Sequence, residues 1–301
     1  MSLNIEERVD CLAPTPVSPA TAFEVPAGAW DTHAHVIGGA PEYPFVANRS
    51  YTPPRATVEQ YLGVLDTIGI RYGVIVPISV HGADNRLLLS ALRQHPGRLR
   101  GIASIDGSES DVALHELRAA GVCGIRINEL FAGGAGADVL QQLAARCRPL
   151  GWHLDLALHG SRIRELLPVL LGLDVPLVVD HMGFCRAERG VHHPDFQAVV
   201  ELVRRPGNWV KLSGAYRLTA EGPPYGDVAR FMRALYEAAA ERCVWAADWP
   251  HVALRSSEQM PQAGALLDFL ARHLPDAAAI RRVLVDNPLR LYGAPGSGAP
   301  G

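Results

Sequence analysis

A single-domain α/β fold of the (β/α)8 TIM-barrel type is what this sequence predicts. The chain has 301 residues and is 48% hydrophobic, enough for one large core. Eight short β-rich runs alternate with eight helical candidates. Most of the β-rich runs are continuously apolar, as strands covered on both faces by helices must be. A doubly wound open sheet would call for a glycine-rich phosphate turn after the first strand, and Gly38-Gly39 falls short of that fingerprint.

In chain order, strands are expected at 29–36, 72–79, 100–105, 123–128, 152–159, 176–181, 208–213 and 243–248. Helices are expected at 57–69, 84–94, 110–120, 137–150, 162–171, 195–204, 227–240 and 258–273. Gly69, Gly121 and Gly151 fall where a helix end needs a left-handed cap before the next strand. In such a barrel the chemistry gathers at the C-terminal ends of the strands. The first strand carries His33 and His35, which share a face because residues i and i+2 of a strand point the same way. The second ends in Ser79 and His81, the fourth in Arg126 and Asn128, the fifth in His159, and the sixth in Asp180-His181. The seventh ends in Ser213 with Tyr216 and Arg217 just beyond, and the eighth in Asp248 followed by Trp249-Pro250-His251. Polar groups in a dry barrel are costly unless they pair or act on a ligand. Residues 1–25 are expected as an N-terminal extension, 26–293 as the barrel, and the Gly/Pro/Ser-rich 294–301 as a flexible tail.

Composition narrows the partners. A net charge of -3 with scattered arginines gives no nucleic-acid footprint. No apolar run reaches the roughly 18 residues of a membrane span, and the N-terminus lacks the basic and apolar regions of a signal peptide, which points to the cytoplasm. Five cysteines, without any CxxC pair, argue against both a disulfide framework and a structural zinc site. A monomer and a homo-oligomer are equally compatible with the sequence.

Three imidazoles and a carboxylate, His33, His35, His159 and Asp248, form a zinc-type ligand set with a position left open for water. One divalent metal there would lower the pKa of its water to roughly 7 and polarise a carbonyl, with His181 as general acid or base. The metal-free alternative has Asp248 take a proton from water while the histidines hydrogen-bond the developing oxyanion. His153 and Asp155 lie deeper on the fifth strand, where a structural role is expected. Arg126 and Arg217 each carry a permanent charge and must find an anion. A substrate carboxylate or sulfonate is one candidate, and an internal salt bridge to Asp180 or Glu129 is the competing use. Arg49 and Tyr51, in the loop after the first strand, are placed to close over a ligand.

Six motifs carry a resemblance. They are Asp31-Thr32-His33-Ala34-His35, Gly124-Ile125-Arg126, Val179-Asp180-His181-Met182-Gly183, Lys211-Leu212-Ser213-Gly214-Ala215-Tyr216-Arg217, Ala247-Asp248-Trp249-Pro250-His251 and Asp286-Asn287-Pro288-Leu289-Arg290-Leu291-Tyr292. Together they resemble the amidohydrolase superfamily, most closely its 2-pyrone-4,6-dicarboxylate lactonase-like branch, over roughly residues 26–293. The resemblance implies that Asp248 is the general base, with His33, His35 and His181 around a lactone carbonyl. It also implies that Arg126 and Arg217 hold substrate carboxylates, with Ser79 at a ligand-contacting position. Tyr51, Arg49 and His251 complete the candidate substrate-contacting set.

Two departures from the branch stand out. His159 completes a mononuclear metal set that metal-free relatives tend to lack, and Glu129-Leu130-Phe131-Ala132-Gly133 offers no second basic residue after Arg126. The substrate is therefore expected to be a small anionic lactone, either another acid from aromatic degradation or a sugar-acid lactone. Metal-dependent decarboxylation of an aromatic or semialdehyde acid, lactone isomerisation, and non-catalytic binding are the alternatives.

Overall fold

The computed structural model describes residues 9–133, 135–254 and 256–296. Eight parallel strands alternate with helices: β1 (Trp30–Ala34), α1 (Val58–Thr67), β2 (Tyr72–Ile75), α2 (Arg86–Gln94), β3 (Leu99–Ala103), α3 (Asp111–Ala120), β4 (Val122–Asn128) and α4 (Leu140–Cys147). They continue with β5 (His153–Ala157), α5 (Gly160–Gly172), β6 (Leu177–Val179), α6 (Pro194–Arg204), β7 (Trp209–Lys211), α7 (Ala229–Ala239), β8 (Cys243–Val244) and α8 (Ala263–His273). Each strand pairs with the next in sequence order. The barrel closes where the backbone beyond β8 meets β1: Thr32 N donates to Trp245 O (3.0 Å), Asp248 N to His33 O (2.9 Å) and His35 N to Trp249 O (2.8 Å). This is a nearly closed eight-stranded parallel barrel, as the alternation predicts.

Local chemistry sets the boundaries. Thr57 and Gln60 form a reciprocal capping box at the start of α1. Ser110 caps α3, and Gly121 ends it at φ 108°, a left-handed conformation that favours glycine. The strands stop earlier than the apolar runs do, β2 at Ile75, β6 at Val179 and β8 at Val244. Beyond β6 the backbone leaves extended geometry at once: His181, Met182, Gly183 and Phe184 have φ of 46°, 54°, 70° and 49°. The predicted helix at 258–273 is a short turn, Ser257–Gln259, followed by α8.

Past His273, where no helix is expected, helical turns run from Ala277 to Tyr292. Pro288 lies in the first turn of the last segment, where it needs no N–H donor. The fully buried Tyr292 stacks on Trp30 at 6.0 Å.

The segment before β1 is tied to the barrel. Val9–Asp10 pairs in parallel with Tyr51–Thr52, and the Asp268 carboxylate accepts from the backbone of Thr21 and Ala22. At the other end Ala294 O accepts from Arg100, whereas the rest of the expected tail, residues 297–301, lies outside the described residues. Among the described residues no helix is long and apolar enough to cross a membrane. All five cysteines are free.

Candidate active site

Asp248 is the hub. Its residue adopts φ 62°, a conformation costing roughly 1–3 kcal/mol for a non-glycine residue, and its backbone is anchored on His33 O. The carboxylate is 1% exposed. Oδ2 accepts from Tyr216 OH (2.6 Å) and Arg217 Nε (2.8 Å). Three imidazoles face the same group: His35 Nε2 is 3.4 Å and His33 Nε2 3.9 Å from Oδ1, and His181 Nε2 is 3.6 Å from Oδ2. Burial alone would raise this carboxyl's pKa, but Arg217 and His181 beside it hold it well below the usual carboxylate range.

Each ring is oriented by a second bond. His35 Nδ1 is 2.9 Å from the carbonyl of Val76, and a carbonyl only accepts, so Nδ1 carries a proton. His181 Nδ1 is 2.8 Å from Ser213 Oγ. The ring is packed over Gly214, where an added Cβ would lie 2.8 Å from His181 Cβ. His251 donates Nε2–H to Ala247 O at 3.2 Å and packs edge-on against Tyr216. Burial pushes the pKa of both His181 and His251 down to about 4, and holds that of His33 well below its ordinary value.

Those shifts fix a pH response. Between about pH 6.5 and 4 the unfolded chain binds protons at these three histidines that the native protein does not, so stability is complete near pH 6.5 and falls toward pH 4. Asp31, whose carboxyl burial raises to about 7, opposes them with one proton held only in the native state. The histidines outnumber it. Unfolding free energies from urea titration are expected to drop on acidification across this window by about 1.4 kcal/mol per pH unit for each net proton; a flat or rising series would contradict the assignment.

Beneath His33 lies a charged group that is not among the strand-end candidates. Lys211, the fully buried last residue of β7, has Nζ 2.6 Å from Asp155 Oδ2, 2.9 Å from Asp180 Oδ1 and 3.1 Å from His33 Nδ1. A lysine ending the apolar strand Trp209-Val210-Lys211 was the available signal, because a buried ammonium needs anionic partners. Arg126 also serves this group: Nη1 donates to Pro77 O (2.7 Å) and Nη2 lies 3.4 Å from Asp180 Oδ2. The competing internal salt bridge is thus formed with Asp180, while Glu129 pairs with Arg162 at 2.9 Å. Arg126 Nε remains buried without a hydrogen-bond partner.

Of the remaining candidates, Ser79 Oγ donates to Tyr51 OH at 3.4 Å, and the Tyr51 hydroxyl is within electrostatic reach of both Arg126 and Arg217. Arg49 is turned onto its own loop, with bonds to Thr52 Oγ1 and Val46 O (both 3.2 Å) and its guanidinium 5.6 Å from the Phe45 ring centre. His159 is exposed at the N-terminus of α5, two residues beyond the end of β5, where strand parity no longer aims it inward. It meets Phe184 edge-on at 5.9 Å, and Phe184 in turn meets His181 at 5.1 Å. With Arg186, Arg189 and Arg217, His159 lines a cavity of about 460 Å³. Arg217 lines a second cavity of about 400 Å³ with Tyr216 and Tyr225 and so links open space to Asp248.

Among the described residues two groups bring three possible ligand atoms within 4.8 Å of one another: His33, His35 and Asp248, and His33, Asp180 and His181. His159 belongs to neither. Both groups need a lone pair from His33, whose Nδ1 already lies 3.1 Å from the Lys211 ammonium, and Lys211 also pairs with Asp180 at 2.9 Å. Arg217 already neutralises Asp248. As hydrogen bonded here, the donor set does not fit a divalent ion.

Known proteins resemble this chain in sequence and in fold. A family model described as "Amidohydrolase" matches residues 30–294. A 4-sulfomuconolactone hydrolase of Rhizobium radiobacter is 35% identical over 286 residues, covering 94% of this chain and 96% of the relative. A 2-pyrone-4,6-dicarboxylate hydrolase of Comamonas testosteroni is 37% identical over 281 residues, covering 90% and 92%. A crystal structure from Acinetobacter baumannii, described as a probable 2-pyrone-4,6-dicarboxylic acid hydrolase with citric acid bound, is 27% identical with a TM-score of 0.77, covering 88% of this chain and 99% of that one.

Proposed function

The chain belongs to the amidohydrolase family, and from that premise we propose that it hydrolyses a small anionic lactone with Asp248 as the base. The observation that carries this reading is the convergence of three imidazole Nε2 atoms within 3.9 Å of one buried carboxylate that Arg217 connects to open space. The Rhizobium radiobacter and Comamonas testosteroni relatives act, by their names, on acidic lactones, and the related crystal structure holds a tricarboxylic acid.

In this reading Asp248 takes a proton from water as the oxygen attacks the lactone carbonyl. The carbonyl oxygen becomes an oxyanion held by His33 and His181 in a site that excludes bulk water. The acyl–oxygen bond of the ring then breaks, and the departing ring oxygen takes the proton from Asp248, giving a hydroxyl and a carboxylic acid that loses its remaining proton to solvent as the carboxylate. Arg217 holds the acidic substituent, with Tyr51, Ser79 and the unpartnered Arg126 Nε beside it. An acid on Arg217 also competes with Asp248 for the guanidinium and so returns basicity to a carboxylate that Arg217 otherwise suppresses. His251 supports the Asp248 turn, and no metal takes part.

Paired assays test this reading. A lactone bearing a carboxylate or sulfonate is expected to be opened about 10- to 100-fold more efficiently than its uncharged counterpart, the scale of one or two charge-assisted hydrogen bonds. Arg217→Ala should remove most of that preference. Equal turnover of the two lactones, or release of carbon dioxide, would refute the assignment.

A further inference from the structure

We propose that Lys211 is a positioning residue that fixes His33 as its Nε2–H tautomer, so that the two histidines of the His33-Ala34-His35 pair work as opposites, one a donor and the other an acceptor. The tautomer follows from Lys211 alone; its use on a lactone carbonyl rests on the function proposed above.

An ammonium has three protons to give and no lone pair to receive with. Lys211 is 0% exposed; its Nζ is in hydrogen-bond contact with Asp155 Oδ2 at 2.6 Å and His33 Nδ1 at 3.1 Å, and it pairs with the Asp180 carboxylate at 2.9 Å from Oδ1. Leaving one proton of a buried cation unsatisfied is expensive. One proton therefore goes to His33 Nδ1, the second atom in hydrogen-bond contact with the ammonium, and that nitrogen must present its lone pair. Asp180 Oδ1 also lies 3.3 Å from that nitrogen, but Nδ1 cannot donate to the carboxylate while it accepts from the ammonium.

The proton of the neutral ring is then on Nε2. That atom is buried without a hydrogen-bond partner, and at 3.9 Å Asp248 Oδ1 is too far to be one. An orphaned buried donor costs about 1–3 kcal/mol, and such exceptions call for a functional reason. Here the donor is aimed among His35, His181 and Asp248, where a carbonyl oxygen would meet it. His35 is set the other way: the Val76 carbonyl claims its Nδ1–H, so in the neutral ring Nε2 carries the lone pair next to Asp248 Oδ1. Two acceptors 3.4 Å apart can take the protons of one water while His33 holds the carbonyl. Adjacent histidines on one strand thus divide the reaction between them because different neighbours claim their Nδ1 atoms.

The test is a long-range proton–nitrogen correlation spectrum of the full chain labelled with 15N-histidine at neutral pH, with rings assigned from His33→Asn and His35→Asn. His33 is expected to show an unprotonated, pyridine-type Nδ1 and a protonated, pyrrole-type Nε2, with the neutral His35 ring showing the reverse. Zinc alone, added to the chelator-treated protein, should leave the His33 signals in place. In Lys211→Met the His33 proton should move to Nδ1, facing Asp180, and kcat should fall about 100-fold with little change in KM, the scale of one lost oxyanion donor. A protonated Nδ1 on His33 in the wild-type chain, or a stoichiometric zinc shift of its ring, overturns the proposal. Should Lys211→Met fail to fold, the wild-type spectrum decides by itself. Because that spectrum needs no substrate, an error about the lactone and an error about the tautomer give different results.

Discussion

Asp248→Asn is expected to lower kcat for lactone opening by about 10²- to 10⁴-fold, the usual contribution of a general base, while the protein remains folded. Asparagine keeps the shape of the side chain and can still accept from Tyr216 OH and Arg217 Nε, which approach Oδ2 at 2.6 and 2.8 Å. It cannot take a proton from water. Arg217 loses its anionic partner and becomes freer to hold an acidic substrate, so KM should hold steady or fall while kcat collapses. Steady-state kinetics with a charged lactone, alongside a circular dichroism spectrum, separates this from unfolding. A variant with near-normal kcat would remove Asp248 from the role of base.

The largest stability effect belongs to Lys211. Lys211→Met should cost about 3–5 kcal/mol, the range for breaking a buried ion pair by removing one partner. Asp155 and Asp180 are both 0% exposed and would lose their shared cation, leaving Asp180 with Arg126 at 3.4 Å and His33 at 3.3 Å, and Asp155 with His153 at 3.4 Å. Set against a typical total stability of about 5–15 kcal/mol, such a loss brings the protein near its threshold, and a urea titration measures it. A loss below about 1 kcal/mol would mean that the buried charges are not coupled as the distances indicate. Adding Asp155→Asn should recover part of the loss by removing one of the two stranded charges.

Much of this molecule is legible in its sequence because barrel strands and helices announce themselves through apolar runs and helix caps. The His33/His35 pair follows from the period of two, and Asp248, His181 and Arg217 follow from their places just past apolar strands. His159 also stands past an apolar strand, but β5 ends at Ala157 and α5 begins at Gly160, so the chain has already turned it outward. Strand parity predicts direction only while the strand lasts. The turn from His181 to Phe184 is invisible to composition, since only Gly183 advertises a left-handed backbone and its three neighbours adopt one as well. Lys211 escaped because a survey of strand ends for imidazoles, carboxylates and guanidiniums passes over a lysine whose partners, Asp155 and Asp180, lie 56 and 31 positions away in sequence. Arg126 shows the limit of reading charge alone: the sequence demands an anion for it, and only the fold reveals that Asp180 is one.

Ring opening in 18O-enriched water tests the central claim most directly. The mechanism predicts one 18O atom per product molecule, in the newly formed carboxylate, with an unlabelled hydroxyl and no carbon dioxide released. Label in the hydroxyl group, an isomeric lactone without label, or carbon dioxide among the products would contradict it.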